Sequence, residues 1–203
     1  MTETSQLTGQ IRVWDPLVRF FHWSLASAFL IAYVTEDDFL TIHSWAGYLI
    51  LSLIAIRFVW GFIGTRYARF TDFVYRPKTI IAFLKDTLRL RAKRYIGHNP
   101  AGGAMVVLLM LSLLFTTLSG ILLFGAGEHA GPVAHWFTQT NGMANGWADP
   151  LEEVHEFFAN FTMLLVIVHV GGVIVESLIH RENLVSAMIS GFKSATAKKL
   201  AGE

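Results

Sequence analysis

Four histidines lie within apolar segments long enough to cross a membrane: His22, His43, His155 and His169. An ionisable ring in hydrocarbon is costly and needs a partner, so it marks a functional site by default. His155 and His169 are fourteen residues apart in one segment. At about 100° per residue their rings return to nearly the same helix face, roughly 21 Å apart along the axis. One helix would thus offer a ligand near each side of a bilayer, and paired imidazoles can hold the iron of a haem.

The composition favours an integral membrane protein. The 203 residues are 53% hydrophobic, and the mean hydropathy is +0.48, which is too apolar for an ordinary soluble domain. The chain has no cysteine, which excludes disulfides, iron–sulfur clusters, thiolate-ligated haem and covalently attached c-type haem. Any haem must therefore be held without a covalent bond to the chain, by nitrogen or thioether ligands.

Four apolar segments meet the length requirement of a transmembrane helix, which is about 20 residues. They are expected at about 16–35, 43–63, 103–124 and 153–178. In the last connection, Asp149 and Pro150 resemble an N-cap and a first-turn proline. Basic and apolar residues alternate over about 76–94, which predicts a cytoplasmic amphipathic helix on the membrane surface. The expected fold class is all-α, a four-helix membrane bundle in a single domain over 1–203, with a cytoplasmic tail at 180–203.

The distribution of charge predicts the orientation. All sixteen Lys and Arg lie within 12–19, 57–94 and 181–199, whereas the connections 36–42 and 125–152 have none. These two connections carry acidic residues instead: Glu36, Asp37, Asp38, Glu128, Asp149 and Glu152. By the positive-inside rule both termini are cytoplasmic and the acidic connections face outward. The expected location is the bacterial inner membrane, with the acidic connections in the periplasm.

This orientation assigns a depth to each histidine. His43 and His155 would lie near the outer face, and His22 and His169 near the inner face. Two axial nitrogens on one metal ion are only about 4 Å apart, taking bonds of about 2.0–2.1 Å as in zinc sites. The sequence therefore predicts two haem b sites, His43 with His155 and His22 with His169. A single histidine could merely hydrogen-bond a neighbouring helix. Four at two matched depths favour ligation, and no carboxylate cluster supports zinc.

Residues near the histidines could complete these sites. A small residue follows each histidine by three or four positions, on the same helix face, where a porphyrin would need room: Ala26, Gly47, Ala159 and Gly172. Close helix packing is the alternative explanation. Arg19 and Arg57 are candidate partners of haem propionates, or they could set topology and bind anionic lipid headgroups. The other four histidines are expected at the surface or an interface, although His98 could deliver protons to a quinone: His98, His129, His135 and His180.

Several motifs occur in the order typical of one family: VWDPLVRFFHW, HSWAGY with RFVWGFIG, RYIGHNPAGG, and HEFFAN with HVGGV. They resemble the bacterial cytochrome b561 family, and most of all the b-type cytochrome subunits of nickel–iron hydrogenases and related di-haem cytochromes b. The resemblance covers about Arg12 to Ile179. It implies four helices, two b haems on the same four histidines, and electron exchange between a partner protein and the quinone pool. The connection from Glu36 to Ile42 is shorter than in many hydrogenase subunits, which makes a periplasmic c-type cytochrome the alternative partner.

Three functions follow from these observations. The first is electron transfer between quinone, near the inner haem, and a hydrogenase or c-type cytochrome outside, in a homo- or hetero-oligomer surrounded by membrane lipid and without nucleic acid. An acidic outer face suits a basic c-type cytochrome. The second is a superoxide oxidase that reduces quinone, known in shorter members of the superfamily. Outer connections without Lys or Arg disfavour it, because superoxide is an anion. The third is a non-redox carrier or assembly factor, which would be colourless.

Overall fold

The computed structural model describes residues 9–36, 38–138 and 145–195, and most of them are helical. The four long helices are α1 (Pro16–Val34), α2 (Leu40–Ile63), α5 (Pro100–Gly127) and α7 (Asn145–His180). The shorter elements are β1 (Gln10–Arg12), a 3-10 helix (Arg66–Ala68), α3 (Phe70–Phe73), α4 (Pro77–Leu88), α6 (Ala134–Thr138), α8 (Leu184–Ser190) and β2 (Phe192–Ser194). Asp37 of the acidic connection and residues 196–203 of the tail lie outside the described residues.

The four long helices are each long and apolar enough to cross a membrane. At most 33% of the most apolar stretch of each helix is buried within the chain. Large apolar side chains such as Phe20, Phe62 and Leu178 are exposed, as expected where lipid covers a surface. The predicted all-α fold class with four membrane-spanning helices is confirmed, and the only strands among the described residues are the short β1 and β2.

The predicted start of the last helix is wrong. Asp149 and Pro150 do not begin α7, because this helix already begins at Asn145 and contains Pro150. A proline removes one helical hydrogen bond, the one to the carbonyl four residues earlier. That carbonyl belongs to Gly146, which is exposed, so water can satisfy it near the helix end. The long helices α2 and α5 are also longer than predicted, by three residues at the start of α2 and at both ends of α5.

The amphipathic segment is helical over a shorter range than predicted. It forms α4, which begins with Pro77 in its first turn and buries Phe83. The helix ends at Leu88, and Leu90 has the left-handed φ of +57°, a conformation that a helix cannot continue through. Residues 91–94 therefore extend away from the helix as irregular chain, where a longer surface helix was expected.

The chain divides into two compact units of opposite charge. The basic unit comprises 1–22, 57–107 and 167–203, and the acidic unit comprises 23–56 and 108–166. The basic unit has all sixteen Lys and Arg and seven Asp and Glu, a formal charge of +9. The acidic unit has eight Asp and Glu and no Lys or Arg, a formal charge of −8. The overall charge of +1 hides this separation.

A buried carboxylate organises the basic unit. Asp15 caps α1 by accepting a hydrogen bond from the Val18 amide at 2.9 Å. Its other oxygen accepts from Trp60 Nε1 at 3.1 Å and from Thr65 Oγ1 at 2.6 Å. Burial raises the pKa of Asp15, but these hydrogen bonds outweigh burial and hold the pKa below its ordinary value. Asp15 thus ties the start of α1 to the end of α2, around the core of Val13, Trp14, Val18, Ala68 and Ala187.

A pair of strands joins the two ends of the described chain within this unit, and an ion cluster lies beside the second strand. Strands β1 and β2 pair antiparallel, with Gln10 opposite Ser194. Glu182 forms ion pairs with Arg94 at 2.8 Å and with Lys193 at 3.3 Å. Burial raises the pKa of Glu182, but the two cations outweigh it and lower the pKa. The Lys193 side chain is only 5% exposed, so its charge depends on this partner.

The acidic unit is held by an apolar core and by a small group of hydroxyls. The core consists of Ala28, Phe29, Ala32, Ala46, Ile50, Ile54 and Leu113. Thr162 of α7 is fully buried and lies 2.7 Å from Ser112 and 3.3 Å from Thr116, both in α5. Hydrogen bonds of this kind join transmembrane helices where apolar side chains alone give little driving force.

Candidate functional site

His43 and His155 face each other within the acidic unit. Their ring centres are 5.9 Å apart, and the ring planes are inclined by 79°. Taking about 2.0–2.1 Å for a metal–nitrogen bond, as in zinc sites, and about 1.1 Å from nitrogen to ring centre, two imidazoles on opposite sides of one ion have centres about 6.3 Å apart. The observed separation is within a few tenths of an ångström of this value. The pair therefore has the spacing of two axial ligands.

In both rings Nδ1 carries the proton, which leaves Nε2 available as a ligand. His43 Nδ1 is 2.9 Å from the Ala32 carbonyl oxygen, and His155 Nδ1 is 2.9 Å from the Thr116 carbonyl oxygen. A carbonyl only accepts, so in each ring Nδ1 must carry the proton and donate it. Nε2 then keeps its lone pair, as in metal-bound histidines, whose second nitrogen usually donates to a carbonyl or a carboxylate.

A cavity of about 660 Å³ adjoins this histidine pair. It lies within the range of about 300–1,000 Å³ that is typical of cofactor and ligand sites. Both rings line it, together with Gly47 and Ala159, two of the predicted small residues. A methyl group added at Gly47 would meet nothing within 4 Å. The space beside the ligands is therefore open, and it fits a flat prosthetic group.

Gly120 of α5 belongs to this site, although sequence reasoning left the third apolar segment without a role. A Cβ atom at Gly120 would lie 2.8 Å from Cε1 and 3.1 Å from Nδ1 of His155. Only a residue without a side chain lets the imidazole lie against α5 in this way. A glycine in the middle of a long apolar helix was the sequence signal for this position.

His22 and His169 face each other within the basic unit. Their ring centres are 6.3 Å apart, and the ring planes are inclined by 53°. This separation matches the value expected for two axial imidazoles on one ion. Ala26 and Gly172, the small residues predicted beside this pair, are both exposed. A methyl group at Gly172 would meet nothing within 4 Å.

The two candidate arginines differ in their contacts. Arg57 is only 3% exposed and donates from Nη2 to the Ala68 carbonyl at 3.0 Å, with its guanidinium over the rings of Phe70 and Phe73. Its buried Nη1 has no hydrogen-bond partner among the described residues. Arg19 donates to the Ile189 carbonyl at the end of α8. Arg57 thus keeps a free donor in a buried position, which fits an anionic group such as a propionate.

His98 is placed more deeply than a surface residue. Its ring packs between Trp14, at 4.6 Å, and Phe73, at 4.8 Å. Burial, and after it the charges of Arg57, Lys193, His169 and His22, lower the pKa of His98 to about 3. His98 is therefore a neutral ring at neutral pH. It lies in the same neighbourhood as His22 and His169 of the basic unit.

The remaining histidines are not brought to either pair. His129 and His135 are exposed. His180 Nε2 lies 3.2 Å from a carboxylate oxygen of Glu176. Among the described residues, no group of three or more His, Cys, Asp or Glu is arranged to hold a metal ion. A pair of histidines would hold a metal ion only if further ligands came from elsewhere, as the iron of haem takes nitrogens from its porphyrin.

Comparison with known proteins agrees with this chemistry. The family model described as prokaryotic cytochrome b561 matches residues 13–191. The chain belongs to the prokaryotic cytochrome b561 family. The resemblance noted in the sequence is thereby confirmed, and this cytochrome b561-family chain is a haem-binding electron-transport protein with several membrane-spanning helices.

Curated relatives of the chain are named as b-type cytochrome subunits. A "Probable Ni/Fe-hydrogenase B-type cytochrome subunit" of Cupriavidus necator is 28% identical, with 90% of this chain and 86% of the relative covered. The protein with this name in Rhodobacter capsulatus is 26% identical, with 95% and 90% covered. The one in Rhizobium leguminosarum bv. viciae is 25% identical, with 89% and 87% covered. No solved structure matches the chain.

Proposed function

We propose that this cytochrome b561-family chain binds two b haems and carries electrons across the bacterial inner membrane. His43 and His155 are the axial ligands of the haem in the acidic unit. His22 and His169 are the axial ligands of the haem in the basic unit. When bound, each haem supplies one-electron redox chemistry, and the chain tunes it through ligands, burial and hydrogen bonds.

The observation that carries this proposal is the arrangement of the acidic-unit pair. Its ring centres are 5.9 Å apart, and both Nδ1 atoms are occupied by carbonyl oxygens at 2.9 Å. Spacing alone could arise from packing, but two rings that both keep Nε2 free beside an open cavity favour ligation. The basic-unit pair has a similar separation.

Different groups receive the propionates in the two units. In the basic unit the proposed partners are Nη1 of Arg57 and Nε of Arg19, two buried donors without a hydrogen-bond partner among the described residues. The acidic-unit cavity is lined by neutral donors, among them Tyr33, Ser44 and Tyr48. Ala26, Gly47, Ala159 and Gly172 leave room for the porphyrins.

Haem content tests the proposal. The purified protein should contain two low-spin b haems per chain, counted as pyridine haemochrome. His43→Ala and His155→Ala should each remove one haem, His22→Ala and His169→Ala the other, while His129→Ala, at an exposed position, should keep both. One haem per chain would mean that one ligand pair is misassigned. A folded but colourless protein would refute the proposal and revive a carrier or assembly role.

We further propose that quinone exchanges electrons with the basic unit and a periplasmic redox protein with the acidic unit. The names of the relatives favour a nickel–iron hydrogenase as this protein, whereas the short connection from Glu36 to Ile42 and the acidic charge favour a basic c-type cytochrome. Purified protein in vesicles should be reduced by the physiological partner and then reoxidised by added quinone. Comparing hydrogenase under hydrogen with reduced cytochrome c as donor distinguishes the two.

The superoxide oxidase alternative has less support. The charged side chains that line the acidic-unit cavity, among the described residues, are Glu36, Glu128, Glu152 and Glu156. Carboxylates at the approach to a haem repel an anion such as superoxide. Rapid quinone reduction by superoxide, faster than reduction by the redox partners, would nevertheless overturn this conclusion.

The proposed orientation can be tested independently of haem. Both termini should be cytoplasmic, since the basic residues cluster beside them. A reporter active only in the periplasm should be silent when fused at the C-terminus and active when inserted after Glu128, which is exposed. The reverse pattern would refute the orientation without affecting the haem ligands.

A further inference from the structure

The separation of charge between the two units has a consequence for redox potential, given the two haems proposed above. All the basic residues belong to the basic unit, which has a formal charge of +9, and the acidic unit has a formal charge of −8. Reduction adds one electron to an iron centre, so surrounding negative charge opposes it and surrounding positive charge favours it.

Carboxylates lie close to the histidine pair of the acidic unit. The cavity beside His43 and His155 is lined by four carboxylates, and it has no Lys or Arg among its described lining residues. The basic unit instead contains two buried cations, Arg57 and Lys193, of which Lys193 is paired with Glu182. Arg57 and Lys193 are almost fully buried, where water and salt screen a charge far less than at a surface.

We infer that the haem site of the acidic unit has the lower reduction potential, and that the carboxylates lining its cavity set this order. An electron shared between the two sites then resides mainly in the basic unit. The transfer moves one electron and no proton, so that one site is oxidised as the other is reduced. The charges thus favour entry of electrons at the acidic unit and exit at the basic unit, toward quinone.

The contribution of one carboxylate can be bounded. A unit charge roughly 10–15 Å from a metal centre, with an effective dielectric constant of about 30 to 80, changes the reduction equilibrium by about two- to sevenfold. At 59 mV per tenfold for one electron, this corresponds to roughly 18–50 mV. The four lining carboxylates are exposed, so values toward the lower end are expected for each.

A redox titration of the intact protein tests the inference. Haem is counted first, and the visible spectrum is then followed against potential. Two midpoints are expected, and the lower one should be lost in His43→Ala and retained in His22→Ala. Glu128→Gln and Glu152→Gln should each raise the lower midpoint potential. The expected rise corresponds to a two- to sevenfold change in the reduction equilibrium constant. Glu153→Gln is the matched control, because it removes the same charge beside Glu152 but does not line the cavity.

The outcomes are distinct. If the higher midpoint is lost in His43→Ala, or if Glu128→Gln and Glu152→Gln shift neither midpoint more than Glu153→Gln does, the inference is overturned while the two haems stand. Fewer than two haems per chain contradict the proposed function itself, and the inference falls with it. If the histidine variants do not fold, the glutamate variants still identify which midpoint belongs to the acidic unit, because they leave both ligand pairs intact.

Discussion

Replacing Gly120 by alanine should release the haem of the acidic unit and leave that of the basic unit in place. The added Cβ would lie 2.8 Å from Cε1 of His155, whereas two carbon atoms are at their best separation at about 3.5–4.0 Å. The ring cannot simply retreat, because Nδ1 is held by the Thr116 carbonyl at 2.9 Å. The substitution therefore has to displace the axial ligand or bend α5.

The size of the effect follows from this overlap. Inserting a methyl group into a well-packed site costs about 1–3 kcal/mol, which is about five- to 150-fold in an equilibrium constant at 1.4 kcal/mol per tenfold. We expect haem affinity in the acidic unit to fall by this factor. Where haem remains bound, the tilted imidazole should change the low-spin electron paramagnetic resonance signal.

The assay is the haem-to-protein ratio during dilution or dialysis against a haem-binding protein, together with the two redox midpoints. Gly171→Ala is the control, because a Cβ there meets nothing within 4 Å and costs the helix nothing. If Gly120→Ala keeps two haems with unchanged midpoints and spectra, the contact between Gly120 and His155 is not a feature of the haem-loaded protein.

Three further predictions concern the remaining polar groups. Glu182→Gln removes the anionic partner of buried Lys193 and should cost about 3–5 kcal/mol, measured as a lower thermal midpoint in detergent. Thr162→Val breaks its 2.7 Å hydrogen bond with Ser112 and should cost about 0.6–1.7 kcal/mol in reversible unfolding in mixed micelles, with Ser112→Ala giving a similar loss. The pKa of His98 lies near 3, against about 6.5 when unfolded, so the unfolded chain binds more protons between these values. Stability should therefore fall as the pH drops from 6.5 to 3, and His98→Asn should flatten this dependence in thermal midpoints measured against pH.

The number and type of helices could be predicted because the bilayer sets a length that the sequence must meet. Each of the four predicted segments lies at a helix of the structure, since 20 apolar residues have few alternatives in lipid. The ends were harder to place. Pro150 suggested a start, but a proline stops a helix only if its missing hydrogen bond cannot be replaced, and at an exposed helix end water replaces it.

The histidine pairs could be predicted because charge and length together assign a depth to each residue. The structure brings together His43 with His155 and His22 with His169, the combinations that depth selects. The placement of His98 could not be predicted in the same way. Its burial depends on Trp14 and Phe73, which are distant in sequence, and a polar loop gives no period from which such contacts could be read.

The acceptors of the two acidic-unit rings show why a ligand is easier to predict than its support. A helical carbonyl already accepts a hydrogen bond from the residue four positions on, so a second donor needs access to it. Ala32 lies in the last turn of α1, where no residue four positions on continues the helix. Its carbonyl accepts from the Thr35 amide at 3.3 Å and is still open to His43 Nδ1 at 2.9 Å. Thr116 lies in the middle of α5. The His155 ring approaches the Thr116 carbonyl beside Gly120, the residue four positions further along the helix. The glycine thus opens one carbonyl to the imidazole, just as a helix end opens the other. Both hydrogen bonds leave Nε2 as the nitrogen available to a metal ion, and a mid-helix glycine one turn after a carbonyl is a sequence signal for such a contact.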